Sequence, residues 1–229
     1  MRELHGRWLQ VLLVAVLIVG LTGVSLAVLM RDRGSASVVP QSPYIVYFVG
    51  DSITEGFTAT SWKDTYRFQV GAYLRQKRGF NVVETGVWHG GWRASDALKA
   101  LAVAPPAADT RLVVLEIGTN DSIHTHSPAT FQAEYIELVA QLHAAAPRAA
   151  LLCLSVWGSA AIAQSYNDFI RPACSGGRYV DITSLYANPA NREPGGKPTF
   201  LGQPTDTFHP NNAGHAAIAS AVAASMAAG

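Results

Sequence analysis

From Tyr44 onward the chain alternates strand-like apolar runs with helical stripes, and this alternation constrains its fold more than any other feature. Tyr44 to Val49 (YIVYFV) is β-branched and aromatic without polar alternation, as in a strand covered on both faces. Trp62 to Arg78 follows, with Tyr66, Val70, Tyr73 and Leu74 at the i, i+4, i+7, i+8 spacing of a buried helix face. Phe80 to Val83 predicts a second strand, Ser95 to Val103 a helix capped by Ser95, and Arg111 to Ile117 a third strand. Ser127-Pro128 reads as a cap followed by proline at the first helical position, and Phe131, Tyr135, Leu138, Val139 and Leu142 mark that helix's buried stripe. Ala149 to Val156 predicts a fourth strand, Ala160 to Ile170 a helix and Arg178 to Ile182 a fifth strand. A loop from Thr183 to Phe208, rich in Pro, Gly and Asn, leads to a last helix from Asn211 to Ala227. The order predicts an α/β fold with a five-stranded parallel sheet and helices on both faces, forming a domain over residues 44–229. In such sheets, sites form at the carboxyl ends of the strands.

Ahead of this domain, residues 1–8 form a short tail, residues 9–30 an apolar run and residues 31–43 a small, polar, proline-containing linker. The run from Leu9 to Met30 carries no charge, and at ~1.5 Å per helical residue it is long enough to cross a hydrocarbon core of ~30 Å. It therefore reads as one N-terminal transmembrane helix. Arg2 and Arg7 precede it and Arg31 and Arg33 follow it, so arginine counts barely orient it; the short tail favours N-inside, with the domain exported. A cleaved signal peptide is the rival, because Ser25-Leu26-Ala27 resembles a cleavage site and Gly20 and Gly23 could end the apolar region. The run's continuation through Val28-Leu29-Met30 to Arg31 favours the anchor. Both readings put the domain outside the cytoplasm. A net charge of +1 with 14% charged residues argues against a nucleic-acid partner. The two cysteines, Cys153 and Cys174, read equally as a disulfide or as two separate buried thiols.

Four stretches pass the strand-end test. Strand one runs into Gly50-Asp51-Ser52-Ile53-Thr54, strand two into Gly86-Val87-Trp88-His89-Gly90-Gly91-Trp92-Arg93, and strand three into Gly118-Thr119-Asn120-Asp121. The fourth follows strand five across the long loop: Asp206-Thr207-Phe208-His209-Pro210. An Asp three residues before a His can reach one ring nitrogen and leave the other free as a base. A serine is a weak nucleophile without such a base, and His209 is the candidate partner of Ser52. Acyl transfer further requires donors aimed at an oxyanion, and the Ser52 amide, an amide of the glycine-rich loop and the Asn120 side chain are candidates. Singly each stretch has a plainer meaning, a turn, a bend or a helix cap. Their joint appearance after the right strands argues against coincidence.

With GDSIT (Gly50 to Thr54), GTND (Gly118 to Asp121) and DTFHPNNAGH (Asp206 to His215), the chain resembles the SGNH hydrolases, also called the GDSL esterases and lipases, from Tyr44 to its end. The resemblance implies a flavodoxin-like three-layer α/β/α sandwich. It implies Ser52 as nucleophile, His209 as base and then acid, Asp206 as its orienter, and Asn120 with a glycine of the second block in the oxyanion hole. That block departs from the family's Asn-x-Gly-x-x-Gly: Glu84 stands at the Asn place and extra residues precede the glycine pair. Counting back from Ala97-Leu98 favours Gly91 as donor, with Gly90 close behind.

His124 and His126 follow the GTND turn without the further ligands that a zinc site needs, so neither metal nor cofactor is expected. His215 reads as structural. Trp88, His89, Trp92 and Trp157 follow strands two and four and are the candidate substrate contacts, with Phe57, Trp62 and Phe208 also gathered at this edge. The expectation is an ester hydrolase acting on a small-molecule, glycan or lipid ester. The alternatives are acyl transfer to a cell-envelope glycan or lipid and a catalytically silent glycan-binding module.

Overall fold

The first apolar run of the domain forms strand β1 (Tyr44–Gly50) in the computed structural model, which describes residues 42–124, 127–192 and 194–227. A short helix α1 (Ser52–Glu55), a 3₁₀ turn (Trp62–Asp64) and α2 (Tyr66–Arg78) lead to β2 (Val82–Trp88). Next come α3 (Ala94–Val103), β3 (Leu112–Glu116), α4 (Thr119–Ile123), α5 (Pro128–Ala145) and β4 (Ala150–Leu154). The described chain finishes with α6 (Ala160–Ala173), β5 (Arg178–Val180), α7 (Thr183–Ala187), a 3₁₀ turn (Pro189–Asn191) and α8 (Asn212–Ala227). The transmembrane or signal segment expected at residues 9–30, with its flanking tail and most of the linker, lies outside the described residues. Among the described residues no helix is long and apolar enough to cross a membrane.

All strands pair in parallel in the order β2-β1-β3-β4-β5. The chain thus winds one way from β1 to β2 and the other from β3 to β5, the flavodoxin-like order with a switch point between β1 and β3. Period-two alternation splits each inner strand between two cores. Tyr47, Val49, Val113, Leu115, Leu151 and Cys153 pack against α3, α5 and α6 through Leu101, Phe131, Leu138 and Ile170. Val46, Phe48, Leu112, Val114, Leu152 and Leu154 face α2 and α8 through Tyr66, Val70, Leu74, Ile218 and Val222.

Strand two differs from its expected range. Phe80 precedes it and stacks on Tyr44, with ring centroids 4.4 Å apart. The strand then continues through Glu84, Thr85 and Gly86 to Trp88, pairing from Tyr44↔Val82 to Gly50↔Trp88. As an edge strand it tolerates polar residues that resemble loop in the sequence. The loop to α3 is correspondingly short. That helix starts at Ala94, whose amide donates to Asp121 Oδ2 at 3.1 Å, so Ser95 is not its cap. Cys153 and Cys174 form a disulfide that ties β4 to the residue after α6, with Cα atoms 6.1 Å apart.

Candidate active site

At the carboxyl edge of β1, Gly50 allows a close approach that no other residue could make. A Cβ there would lie 2.0 Å from Thr54 Oγ1 and 2.5 Å from the Glu116 carbonyl oxygen. The chain therefore turns at once, and Asp51 caps α1 by accepting the Ile53 amide on Oδ1 at 3.0 Å. Ser52 becomes the first residue of that helix, buried but facing the cavity.

His209 arrives from the far end of the sheet. Its Nε2 lies 3.0 Å from Ser52 Oγ, and its Nδ1 lies 2.6 Å from Asp206 Oδ2. A carboxylate only accepts, so Nδ1 carries the ring proton and Nε2 accepts from the serine hydroxyl. Asp206 Oδ1 takes the amides of Phe208 and His209 at 2.9 and 2.7 Å, which folds the Asp-x-x-His segment into a closed local turn. Partial burial alone would raise the Asp206 pKa, but hydrogen bonds from the His209 and Phe208 amides and the imidazole hold it below the usual carboxylate range. The Phe57 and Phe208 rings flank the imidazole, with centroids at 4.5 and 5.2 Å.

The coil that carries these residues is pinned on both sides. The indole of Trp157 donates to the Phe208 carbonyl at 2.8 Å, and Arg192 donates to the Thr207 carbonyl at 2.9 Å. Thr58, in the left-handed conformation with φ 66°, donates its hydroxyl to the Pro210 carbonyl at 2.7 Å. This last link joins the histidine's coil directly to the segment behind the serine. Nothing in the sequence pattern singles out Thr58.

Asn120 is buried in α4, and its Nδ2 contacts the Trp92 carbonyl at 3.0 Å and Asp51 Oδ2 at 3.3 Å. Of the two glycines, Gly90 stands nearer the serine: a Cβ on it would sit 3.8 Å from Ser52 Cβ, whereas one on Gly91 meets nothing within 4 Å. The Gly90 amide donates to Glu55 Oε2 at 2.7 Å. Ser52, Glu55, Gly90, Asn120, His124 and His209 share the walls of one cavity of about 430 Å³, with Phe57, Ile123 and Phe208 as its apolar surface.

The expected tryptophan walls lie elsewhere. Trp157 is completely buried and packs edge-on against Tyr186, so it supports Phe208 from behind instead of lining the cleft. Trp88 ends β2 beneath the Arg67 guanidinium, 3.9 Å from its ring, and is absent from the cavity wall. Trp92 packs on the α3/α5 core and meets the site only through its carbonyl. His89 is exposed, stacks on Trp92 at 5.9 Å and does not line the cavity either. These tryptophans follow strands, but their side chains are drawn into the cores because burying so large a ring is worth more than exposing it. His126 lies outside the described residues. Among the described residues no group of three or more His, Cys, Asp or Glu could hold a metal ion. His215 joins α8 to its neighbours, its Nδ1 3.4 Å from the Tyr66 amide and its Nε2 3.3 Å from the Phe57 carbonyl.

A parallel sheet with hydroxyl, imidazole and carboxylate in series at its carboxyl edge is the architecture of a hydrolase. A model of the GDSL-like Lipase/Acylhydrolase family matches residues 48–217, and the chain belongs to that family; it is an ester-hydrolysing enzyme. Its fold is shared with TesA at 17% identity and a TM-score of 0.60, over 80% of this chain and 97% of that one. It is shared too with phospholipase A1 from Streptomyces albidoflavus NA297 at 18% identity and a TM-score of 0.58, over 80% of this chain and 100% of that one. The acetyl xylan esterase AlAXEase matches at 19% identity and a TM-score of 0.60, over 79% of this chain and 98% of that one. No curated protein matches the sequence.

Proposed function

We propose that the chain is a serine esterase for short-acyl, chiefly acetyl, carboxylic esters. The observation that carries this reading is the unbroken series from Ser52 Oγ to His209 Nε2 at 3.0 Å and from His209 Nδ1 to Asp206 Oδ2 at 2.6 Å. Ser52 attacks the ester carbonyl while His209 takes its proton, and Asp206 holds the imidazole in the tautomer that can do so. The resulting imidazolium returns the proton to the leaving alcohol. Water then attacks the acyl-enzyme, again with His209 as base, and the acid departs.

The oxyanion donors are the Ser52 amide, the Asn120 side chain and the Gly90 amide, with Gly91 beside it. Gly90 already holds an anionic oxygen, that of Glu55, which supports its amide as an anion receiver. The substrate carbonyl takes the place of that carboxylate. One Asn120 proton stays with Trp92, and the longer Asp51 contact leaves the other to be shared with the substrate oxygen.

A cavity of about 430 Å³ with a small apolar surface suits a short acyl group and part of its alcohol. The likeness in fold to an acetyl xylan esterase and to a two-domain esterase active on acetylated mannans supports acetylated glycans as the class to test first. Residues 9–30 are proposed as the membrane anchor or signal segment that places the enzyme outside the cytoplasm. The test is Ser52→Ala: hydrolysis of nitrophenyl acetate and of acetylated sugars disappears, together with labelling by a fluorophosphonate. Retained turnover in a folded variant would overturn the reading.

A further inference from the structure

Beneath Ser52 lies a set of polar side chains that the ester chemistry does not touch. Glu116 ends β3 opposite Gly50, Asp51 follows Gly50 directly, and both acids are completely buried. A carboxylate is costly in such a place unless donors meet it, so its oxygens have to be accounted for one by one.

Asp51 Oδ1 accepts the Ile53 amide at 3.0 Å, and Oδ2 accepts Asn120 Nδ2 at 3.3 Å. Glu116 Oε2 accepts the Thr54 hydroxyl at 2.8 Å. Thr54 Oγ1 also lies 2.8 Å from Tyr66 OH, and because its own proton goes to Glu116, the tyrosine is the donor there. Glu116 Oε1 is buried and meets no donor. The acid beside it is Asp51, whose carboxyl group and backbone amide both bear on the Glu116 carboxyl group. Two carboxylates cannot hydrogen-bond without a proton between them.

We propose that Glu116 is a positioning residue of the active site: its carboxyl group donates a hydrogen bond to the Asp51 carboxylate, and through Asp51 it fixes the Asn120 side-chain amide beside Ser52. The donors then run in one direction, from Tyr66 through Thr54 and Glu116 to Asp51, and Asp51 receives Asn120 from the other side. Burial works in the same sense. It drives the Glu116 pKa well above the carboxylate range and that of Asp51 up to about 7, and the hydrogen bond between them favours the proton on Glu116 and the charge on Asp51. A buried pair that merely stabilised the turn would need no link to the oxyanion donor. The 3.3 Å contact from Asn120 to Asp51 supplies that link.

The inference rests on the reading of Ser52 as the reacting serine and Asn120 as an oxyanion donor. It is tested on the full chain with Glu116→Gln, Glu116→Leu and Asp51→Asn, by thermal melting, kcat and KM for nitrophenyl acetate, and the rate of fluorophosphonate labelling. Glutamine keeps a donor for Asp51 and an acceptor for Thr54, so kcat should stay within about 3-fold of wild type. Leucine removes both and should lower kcat about 100-fold with KM little altered, the pattern of a lost transition-state contact. Asp51→Asn turns one of its oxygens into a donor, leaving either Asn120 or Ile53 without an acceptor, and predicts a similar loss in a variant of unchanged shape. It therefore carries the test if leucine prevents folding. Folded Leu and Asn variants with wild-type kcat would overturn the role, as would a glutamine variant as slow as leucine. Failure of this inference alone leaves wild type labelled and Asn120→Ala slow while the Glu116 and Asp51 variants stay fast; failure of the underlying reading leaves wild type itself unlabelled.

Discussion

Ser52 stands at the end of a strand buried on both faces, with the polar side chains of Asp51, Thr54 and Glu116 sealed beneath it and Asn120 beside it in the cavity wall. His209 is carried by the coil between β5 and α8, its side chain 19% exposed and that of its partner Asp206 40% exposed. Ser52 is thus placed by sheet pairing between residues far apart in the chain. The turn that carries His209 is shaped by three hydrogen bonds within four residues and then pinned by Trp157, Arg192 and Thr58. The contrast teaches that the two halves should fail differently. Damage to the histidine half should cost rate and little stability, and damage to the serine half should cost both.

The largest expected effect falls on the histidine half. In Asp206→Asn the amide oxygen can still accept the Phe208 and His209 amides, but the amide nitrogen faces Nδ1 as a second donor and drives the imidazole into the wrong tautomer. The variant should lose about 10⁴-fold in kcat with an unchanged melting temperature. A melting temperature lowered as much as in the buried-side variants would show that the coil of His209 carries stability as well as rate. On the serine half, Asn120→Ala should lose about 10²–10³-fold in kcat, ~2.7–4 kcal/mol of transition-state stabilisation, and should melt earlier because Asp51 loses a partner. A near-normal rate would remove Asn120 from the oxyanion hole.

Two smaller effects fall on stability. The disulfide closes a loop with a sequence separation of 21 within the sheet half, so replacing both Cys153 and Cys174 by Ser should cost about 3 kcal/mol in denaturant unfolding while the folded enzyme keeps its kcat. A fall in kcat would mean that the core beneath Ser52 moves with this bond. His215 lies at the seam, bonding to both Tyr66 and Phe57. Burial lowers its pKa to about 4, from an unfolded value of ~6.5. Because the folded value is the depressed one, its stabilisation is complete above the unfolded value and is lost as pH falls from there toward 4. Between pH 7 and 5 wild type should lose about 2 kcal/mol more than His215→Gln in urea unfolding; equal losses would show that His215 is not the titrating group.

Much of the fold was legible because its signals are local. Unbroken apolar runs marked β1 and β3, and Ser127-Pro128 with the Phe131 to Leu142 stripe marked α5. Strand β2 was misplaced because edge exposure lets polar residues continue a strand, and periodicity alone does not reveal which strand is at the edge. The tryptophans misled for a related reason: a position after a strand is visible in sequence, but the direction of a side chain depends on what packs against it. Glu116 did leave a signal, a single acid inside Arg111-Leu-Val-Val-Leu-Glu-Ile, and its meaning emerges only from its pairing with Gly50.

By itself, the sequence determined the parallel α/β order and put Ser52, Asn120 and Asp206 to His209 after the ends of strands, because periodicity and turn chemistry act over a few residues. The tertiary structure decided which of these groups touch. It brought His209 to Ser52 across a separation of 157 residues, set Gly90 ahead of Gly91 beside the serine, buried Trp157 and joined Cys153 to Cys174. Those outcomes depend on how the two cores close around the sheet, and no local pattern encodes distances between segments that meet only when the chain has folded.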